Sequence, residues 1–119
     1  RVHRRQRQMC IRDRYKVFLN MFLSVSDPAT YASTWLKLME DTGVSDAYGM
    51  REVVAGDTEG VTHYLWIGFE SMADLAKGMD QMSASEEVAE TRETFAGIRE
   101  IKRTAILTAG YESITETME

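Results

Sequence analysis

His63 is the residue best suited to acid–base chemistry in this 119-residue sequence. It is the only histidine after His3, and an imidazole exchanges its proton near neutral pH, at about pH 6.5. His63 and the neighbouring hydroxyl of Tyr64 are therefore candidates to transfer a proton to or from a substrate. The alternative is structural: a histidine at the edge of the core whose ring is hydrogen-bonded to a neighbour.

Asn20 is the third candidate for catalysis, because it places an amide between Phe18 and Phe22 in an otherwise apolar segment. A buried amide needs hydrogen-bond partners. Asn20 could find them in a substrate, where it would orient a carbonyl group and stabilise negative charge developing on its oxygen. A hydrogen bond within the protein explains the residue equally well.

Trp66, Trp35 and Arg51 are candidates for substrate binding. Trp66 and the tyrosine near it could line a pocket for a flat aromatic molecule, with Trp35 as a further contact. Arg51 lies in a segment that otherwise carries valine and methionine, and it could meet an anionic ligand. The alternatives are ordinary strand packing for the aromatic residues and an ion pair with Glu52 or Glu59 for Arg51.

Several chemistries lack the residues that they need. Structural zinc sites use about four Cys or His ligands, and the chain offers only Cys10, His3 and His63. The sequence contains no phosphate-binding P-loop, no dinucleotide-binding glycine motif and no Ser-centred nucleophile elbow. It therefore predicts no zinc site and no cofactor. An all-carboxylate magnesium site stays open, but no spacing of carboxylates predicts one, so we expect no metal.

The first half of the chain must place these residues on a strand, a helix and a second strand. Residues 15–25 are apolar on both alternating faces, which predicts a central strand covered on both sides. Asp27 and Pro28 suit the N-cap and first position of a helix that Gly43 ends, and residues 47–54 read as a partly polar strand. The apolar stripe of the helix consists of Tyr31, Trp35, Leu38 and Met39.

The second half repeats the pattern after a turn at residues 55–60, which are rich in Gly and Asp. Residues 61–69 form the other clear strand, again apolar on both faces. Ser71, with Asp74 three residues later, predicts the start of a helix. Ser83 and Glu86 have the same spacing and predict that a new helix starts there and runs to about residue 96. Residues 99–108 are the last strand.

This β-α-β-β-α-β order predicts an α+β fold of the ferredoxin-like, split-βαβ class: a four-stranded antiparallel sheet with its helices on one face. The other face of the sheet would then be bare. Since both central strands are apolar on that face too, a monomer would expose a large apolar patch. The simplest cover is a second copy, so the sequence predicts a homodimer formed through this sheet face.

Residues 1–14 differ in character from the rest. They resemble translated adapter read-through at the end of an open reading frame from environmental sequencing, and the run QRQMCIRDR carries that resemblance. The alternatives are a basic arm for nucleic acid or lipid and a solvated tail. We expect a non-native or disordered segment at 1–14, one domain at 15–109 and an acidic tail at 110–119.

Charge and composition exclude other classes of partner. Residues 1–16 hold seven arginines or lysines against one aspartate, so with a net charge of −5 for the whole chain the remainder carries −11. Such a domain repels nucleic acid. No apolar run reaches the ~18 residues of a membrane span. A single cysteine suits a reducing compartment, so we expect a cytoplasmic protein with no membrane and no nucleic-acid partner.

The stretch YLWIGFESMADLA, from Tyr64 to Ala76, gives the chain a resemblance to a known family. From about Lys16 to Thr108 the chain resembles the dimeric α+β barrel superfamily, which includes antibiotic-biosynthesis-type monooxygenases, stress-responsive barrel proteins and heme-degrading monooxygenases. The heme-degrading members share an Asn on the first strand and a Trp on the third, here Asn20 and Trp66. They also use an iron-binding His on the second helix, which this chain lacks, so heme degradation is disfavoured.

Two functional hypotheses follow from the resemblance. The first is a cofactor-independent monooxygenase or isomerase that acts on a flat aromatic or polyketide-like substrate. His63 or Tyr64 would then handle the proton, Asn20 the oxyanion and Trp66 the stacking. This hypothesis needs these side chains in one cavity, although strand alternation puts His63 and Trp66 on opposite faces unless a bulge intervenes. The second is a non-catalytic dimeric domain that binds a small ligand or has a stress-related role.

Overall fold

The computed structural model describes residues 14–56 and 59–110. They form four strands and three helices in the order β-α-β-β-α-α-β. The strands are β1 (Val17–Val25), β2 (Ala47–Glu52), β3 (His63–Phe69) and β4 (Arg99–Thr108), and the helices are α1 (Pro28–Thr42), α2 (Met72–Ala84) and α3 (Glu86–Ala96). Residues 1–13 and 111–119 lie outside the described residues. They contain all of the predicted read-through segment except Arg14 and all of the predicted acidic tail except Gly110.

The strands form one antiparallel sheet in the order β2-β3-β1-β4. Its core joins alternate residues of β1 and β3 to the apolar stripes of the helices, so all three helices cover the same face. The predicted ferredoxin-like α+β class is therefore confirmed. The buried members of this core include Leu19, Leu23, Leu65, Ile67, Tyr31 and Phe95.

The ends of the helices follow from local chemistry. The Asp27 side chain accepts a hydrogen bond from the Thr30 amide at the start of α1, and Gly43 ends that helix with a left-handed φ of 62°. Ser71 caps α2 as predicted. The predicted start of α3 at Ser83 is wrong: α2 continues through that residue, and Ser85 is the cap, accepting a hydrogen bond from the Val88 amide.

Strand alternation divides the side chains of the sheet between a helix side and a helix-free side. Opposite strands are paired so that three cross-strand rows lie on the helix-free side. These rows are Arg51–Tyr64–Phe22–Arg103, Gly49–Trp66–Asn20–Ala105 and Ala47–Gly68–Phe18–Leu107. This pairing sorts the five candidate site residues that lie on strands between the two sides, whereas Trp35 lies on α1.

Helix α2 approaches the sheet closely at Gly78, which is buried. A Cβ atom at this position would lie 2.6 Å from Cε1 of Phe69, whose ring is in the core. A glycine within a helix costs about 1 kcal/mol relative to alanine. The close packing against Phe69 explains why that cost is accepted here.

We expect Gly78→Ala to lower the free energy of unfolding by about 1–3 kcal/mol, because overpacking against Phe69 outweighs the gain in helix propensity. The matched control is Gly97→Ala at the end of α3, where φ is −82° and the nearest atom to a new Cβ is 3.9 Å away. This control should be neutral or slightly stabilising. Urea unfolding followed by circular dichroism measures both. A Gly78→Ala protein as stable as the control would contradict the packing argument.

Candidate functional site

Asn20 is buried in the helix-free face of the sheet, with 1% of its surface exposed. Its Nδ2 donates to the Phe18 carbonyl at 3.1 Å, and its Oδ1 accepts from the Tyr64 hydroxyl at 2.5 Å. The amide thus has a partner on each end, as a buried polar group requires. Asn20 and Tyr64 lie on the same face and form one hydrogen-bonded unit.

Four aromatic rings lie on this face around Asn20: Phe18, Phe22, Tyr64 and Trp66, named here the aromatic face. Phe18 meets Trp66 edge-on with ring centroids 6.3 Å apart, and Phe22 meets Tyr64 at 5.2 Å. The Trp66 indole lies directly over Gly49, where a Cβ would be 2.7 Å from Nε1. This close approach needs a glycine under the ring and keeps Trp66 half-buried without any helix above it.

Arginines flank the aromatic face at both edges of the sheet. Arg51 on β2 is paired with Tyr64 in the register, and Arg103 on β4 is paired with Phe22. Arg103 lies over the Phe22 ring at 4.4 Å and bonds Glu59 at 2.7 Å. Arg51 is exposed. Within residues 14–56 and 59–110, Arg51 does not form an ion pair with Glu52 or Glu59.

His63 lies on the opposite, helix side of the sheet. It is 5% exposed, and its Nδ1 is 2.8 Å from the Thr62 hydroxyl. The register between β1 and β3 is regular from His63 to Phe69, so no bulge turns His63 towards Trp66. The structure therefore brings Asn20, Tyr64 and Trp66 together on the helix-free side and places His63 on the helix side. This arrangement fits the structural alternative, a hydrogen-bonded histidine at the edge of the core.

A cavity of about 230 Å³ lies between the sheet and the three helices. This helix-side cavity has Trp35 in its wall, and none of the other five candidates lines it. Its apolar lining comes from the sheet and from every helix. Among these side chains are Leu65, Ile67, Trp35, Met39, Met79 and Phe95.

Arg99 brings a positive charge to the wall of this cavity. Its Nη1 donates to the Tyr31 hydroxyl at 2.8 Å, and its guanidinium lies 4.8 Å from the centre of the Phe95 ring. Burial raises the pKa of the Tyr31 phenol, and the charge and hydrogen bond of Arg99 only partly offset this. Tyr31 is therefore a neutral hydrogen-bond partner at neutral pH.

Sequence reasoning missed Arg99 and its partners. Arg99 and Tyr31 are 68 residues apart in the chain, so no local spacing joins them. The only signal was indirect: Tyr31 belongs to the predicted stripe of α1, and Arg99 is the first residue of the last predicted strand. The structure also places Met79 and Phe95 beside the cavity.

A second, more polar cavity of about 260 Å³ lies at the other end of α2. Its walls include Asp46, Glu70, Asp74 and Lys77. Arg14 pairs there with Glu70 at 3.0 Å and with Asp46 at 3.6 Å. Across residues 14–56 and 59–110, no three His, Cys, Asp or Glu side chains are grouped as metal ligands would be. In the same residues, none of the helices has the length and apolar character of a membrane span.

Comparisons with known proteins find similarity in structure only. No family model matches the sequence, and no curated protein matches it either. Similar solved structures include SnoaB from Streptomyces nogalater, a cofactor-independent oxygenase, with 12% identity, a TM-score of 0.55, and coverage of 86% of this chain and 99% of SnoaB. A candidate antibiotic biosynthesis monooxygenase from Deinococcus radiodurans matches at 16% identity and a TM-score of 0.56, over 85% of this chain and 98% of that protein.

A NIPSNAP family protein from Agrobacterium tumefaciens matches at 16% identity and a TM-score of 0.58, over 84% of this chain and 93% of that protein. All three share the sheet and helix arrangement described above. This chain therefore shares a ferredoxin-like α+β fold with these proteins. At these identities the likeness establishes the fold and leaves the chemistry to the residues themselves.

Within this α+β fold, the two sides of the sheet offer different chemistry. The helix-free side holds a buried amide and a phenol that already bond each other, beneath aromatic rings. The helix side holds an apolar cavity with a guanidinium in its wall. The cavity can bind a small apolar molecule, while the Asn20–Tyr64 pair can serve a ligand only if that ligand replaces an existing hydrogen bond.

We expect Tyr64→Phe to lower the free energy of unfolding by about 1–3 kcal/mol, because the Asn20 Oδ1 loses its partner while it stays buried. Replacing both groups, with Asn20→Leu added, should cost less than the sum of the two single changes, since no polar group is then left unpaired. Urea unfolding of the four proteins in this cycle gives the coupling energy. The control, Tyr48→Phe, removes a hydroxyl that has no hydrogen bond to any other described residue, and its effect should be within about 0.5 kcal/mol. Additive single changes would contradict the pairing.

Proposed function

We propose that this protein binds a small, flat and largely apolar molecule in the helix-side cavity. The observation that carries the proposal is the cavity itself, which has aromatic walls at Trp35 and Phe95 and two cationic groups, the half-buried Arg99 and the exposed Arg92. Concave apolar sites with a few polar groups are the usual form of ligand sites. At about 230 Å³ the cavity is smaller than the ~300–1,000 Å³ common for such sites, which suits a molecule of one or two fused rings.

The proposal includes a homodimer in which the helix-free faces of two copies pack together. The aromatic face and Leu107, which is 54% exposed, offer this surface. Large contiguous apolar patches are rare on monomers, and two sheets pack at about 10 Å with their side chains interleaved. The cytoplasmic location and the absence of nucleic-acid partners, both argued from composition, stay predictions.

A cofactor-independent oxygenase or isomerase activity is the second candidate. It is favoured by the fold shared with SnoaB, which is a cofactor-independent oxygenase. In this candidate, Asn20 and Tyr64 are the proposed groups for oxyanion and proton, Trp66 the stacking surface and Arg51 an anion contact. A substrate would reach them from the space between two sheets. His63 lies on the other side of the sheet and would need a separate role.

Binding in the cavity is tested with naphthoate and naphthamide as two-ring probes. We expect calorimetric titration to give a dissociation constant of roughly 0.1 mM or tighter for naphthoate. In a Trp66→Phe protein, where Trp35 is the remaining tryptophan, the same titration should change the tryptophan emission. Ser83→Phe, which fills the cavity wall, should abolish binding, whereas Ser33→Phe on the exposed surface of α1 should not.

Two results would count against this proposal and sort the candidates. If neither probe binds, or if a probe changes the tryptophan emission of the unmodified protein but not that of Trp66→Phe, the helix-side cavity is not the ligand site. The oxygenase candidate needs oxygen consumption above the uncatalysed rate when a naphthohydroquinone is supplied, with loss of that excess in Asn20→Ala. Binding without any excess consumption leaves the non-catalytic proposal.

The homodimer is tested by a pair of neighbouring substitutions on β4. Leu107 lies on the helix-free side and Ile106 on the helix side, and they are 54% and 47% exposed. We expect Leu107→Arg to raise the dimer dissociation constant at least ~100-fold, because it buries an unpaired charge in the interface. Ile106→Arg should leave the dimer intact. Sedimentation velocity at micromolar concentration measures both, and a monomeric unmodified protein, or dissociation caused by Ile106→Arg alone, would contradict the proposed interface.

A further inference from the structure

We infer that the helix-side cavity selects an anionic ligand: an apolar body of one or two rings that carries a single carboxylate, or an equivalent oxyanion, held by Arg99. This inference rests on the proposed function and adds the class of ligand. Arg92, on α3, lines the same cavity and supplies a second positive charge. The observation behind the inference is the half-buried guanidinium of Arg99, which has a fixed position and no counter-ion among the residues that the structure describes.

The position of Arg99 is fixed by three contacts. Its Nη1 donates to the Tyr31 hydroxyl at 2.8 Å, and its guanidinium lies over two rings, 4.8 Å from the centre of Phe95 and 5.6 Å from the centre of Tyr31. Phe95 and Tyr31 in turn meet edge-on at 4.7 Å, and both are buried. A guanidinium has five N–H donors, so the bond to Tyr31 leaves donors for a ligand.

The charge of Arg99 is not neutralised within the described part of the chain. None of the ion pairs there includes Arg99 or Arg92. The adjacent Glu100 pairs with Lys102 at 3.2 Å. The phenol of Tyr31 does not supply a negative charge either, because burial raises its pKa. A cation that is partly removed from water and unpaired favours an anion beside it.

The walls of the cavity away from the two arginines indicate the character of the rest of the ligand. Away from the two arginines its walls are mainly apolar, and they include Leu65, Met79 and Met82. A free inorganic anion would leave these walls without contacts, and a neutral aromatic molecule would leave Arg99 unpaired. Only a molecule with an apolar body and one anionic end satisfies both parts. Methionines fit a ligand of irregular outline because their side chains are flexible.

The test compares naphthoate with naphthamide, which have nearly the same shape and differ in charge. We expect naphthoate to bind at least ~10-fold more tightly at pH 7, as a charge-assisted bidentate contact implies. Acetate, which has the anion without the rings, should bind far more weakly than either. Arg99→Gln and Arg92→Gln are the test variants, and Lys37→Gln, which removes a positive charge from the exposed surface of α1, is the matched control.

We expect Arg99→Gln to reduce the preference for naphthoate to less than ~3-fold with little change for naphthamide, Arg92→Gln to reduce it partly, and Lys37→Gln to preserve it. Circular dichroism and thermal unfolding check that Arg99→Gln folds. If it does not, Arg99→Lys replaces it; this variant keeps the charge but loses the two-pronged contact, and its preference should fall between the other two.

The outcomes separate this inference from the proposed function. If both probes bind equally to the unmodified protein, the cavity binds ligands but does not select anions, and only this inference is overturned. The same holds if the preference for naphthoate survives in both arginine variants, because the charge is then recognised elsewhere. If neither probe binds, the proposed function fails and this inference fails with it.

Discussion

The strict two-residue alternation of β1 and β3 is the constraint on which the rest of the molecule depends. Both central strands carry large side chains on both faces. Because successive side chains of a strand point to opposite faces, the position of a residue along the strand decides the side of the sheet on which it lies. Leu19, Leu65 and Ile67 are committed to the core beneath the helices. Asn20 and Trp66, one residue away, are committed to the other side, where the helices of the same chain cannot reach them.

This alternation explains how much could be predicted from the sequence. The element order, the ferredoxin-like class and the cap at Ser71 follow from apolar periodicity and local hydrogen bonding. Both depend on residues that are only a few positions apart in the sequence. The cap at Ser85 was missed because Ser83 has the same spacing to Glu86 that Ser71 has to Asp74. Where α2 ends is decided by the packing of that helix on the sheet, which no four-residue motif contains.

The candidate site was less predictable, for a physical reason. Residue types identify groups that can transfer protons or stack, but their mutual distances depend on long-range pairing. The contact between Asn20 and Tyr64 spans 44 residues, and that between Arg99 and Tyr31 spans 68. Strand alternation did give the opposite orientation of His63 and Trp66 in advance. It could not show that the glycines at positions 49 and 68 leave room for the Trp66 and Phe18 rings close to the backbone, on the face where Asn20 is buried.

The two sides of the sheet therefore have separate tasks under the proposed function. The rings of the aromatic face pack on one another and its buried amide is hydrogen-bonded within the protein, which suits an interface between copies. The cavity beneath the helices contains Arg99, which forms no ion pair with any other described residue. The domain after residue 16 carries a net charge of −11, which would repel an anionic ligand at long range. At physiological ionic strength, however, exposed charges are screened beyond about 8 Å. Arg99 is half-buried and lies in the cavity wall itself, so its attraction is screened much less than the repulsion from the distant surface, and the local guanidinium determines which ligand the cavity prefers.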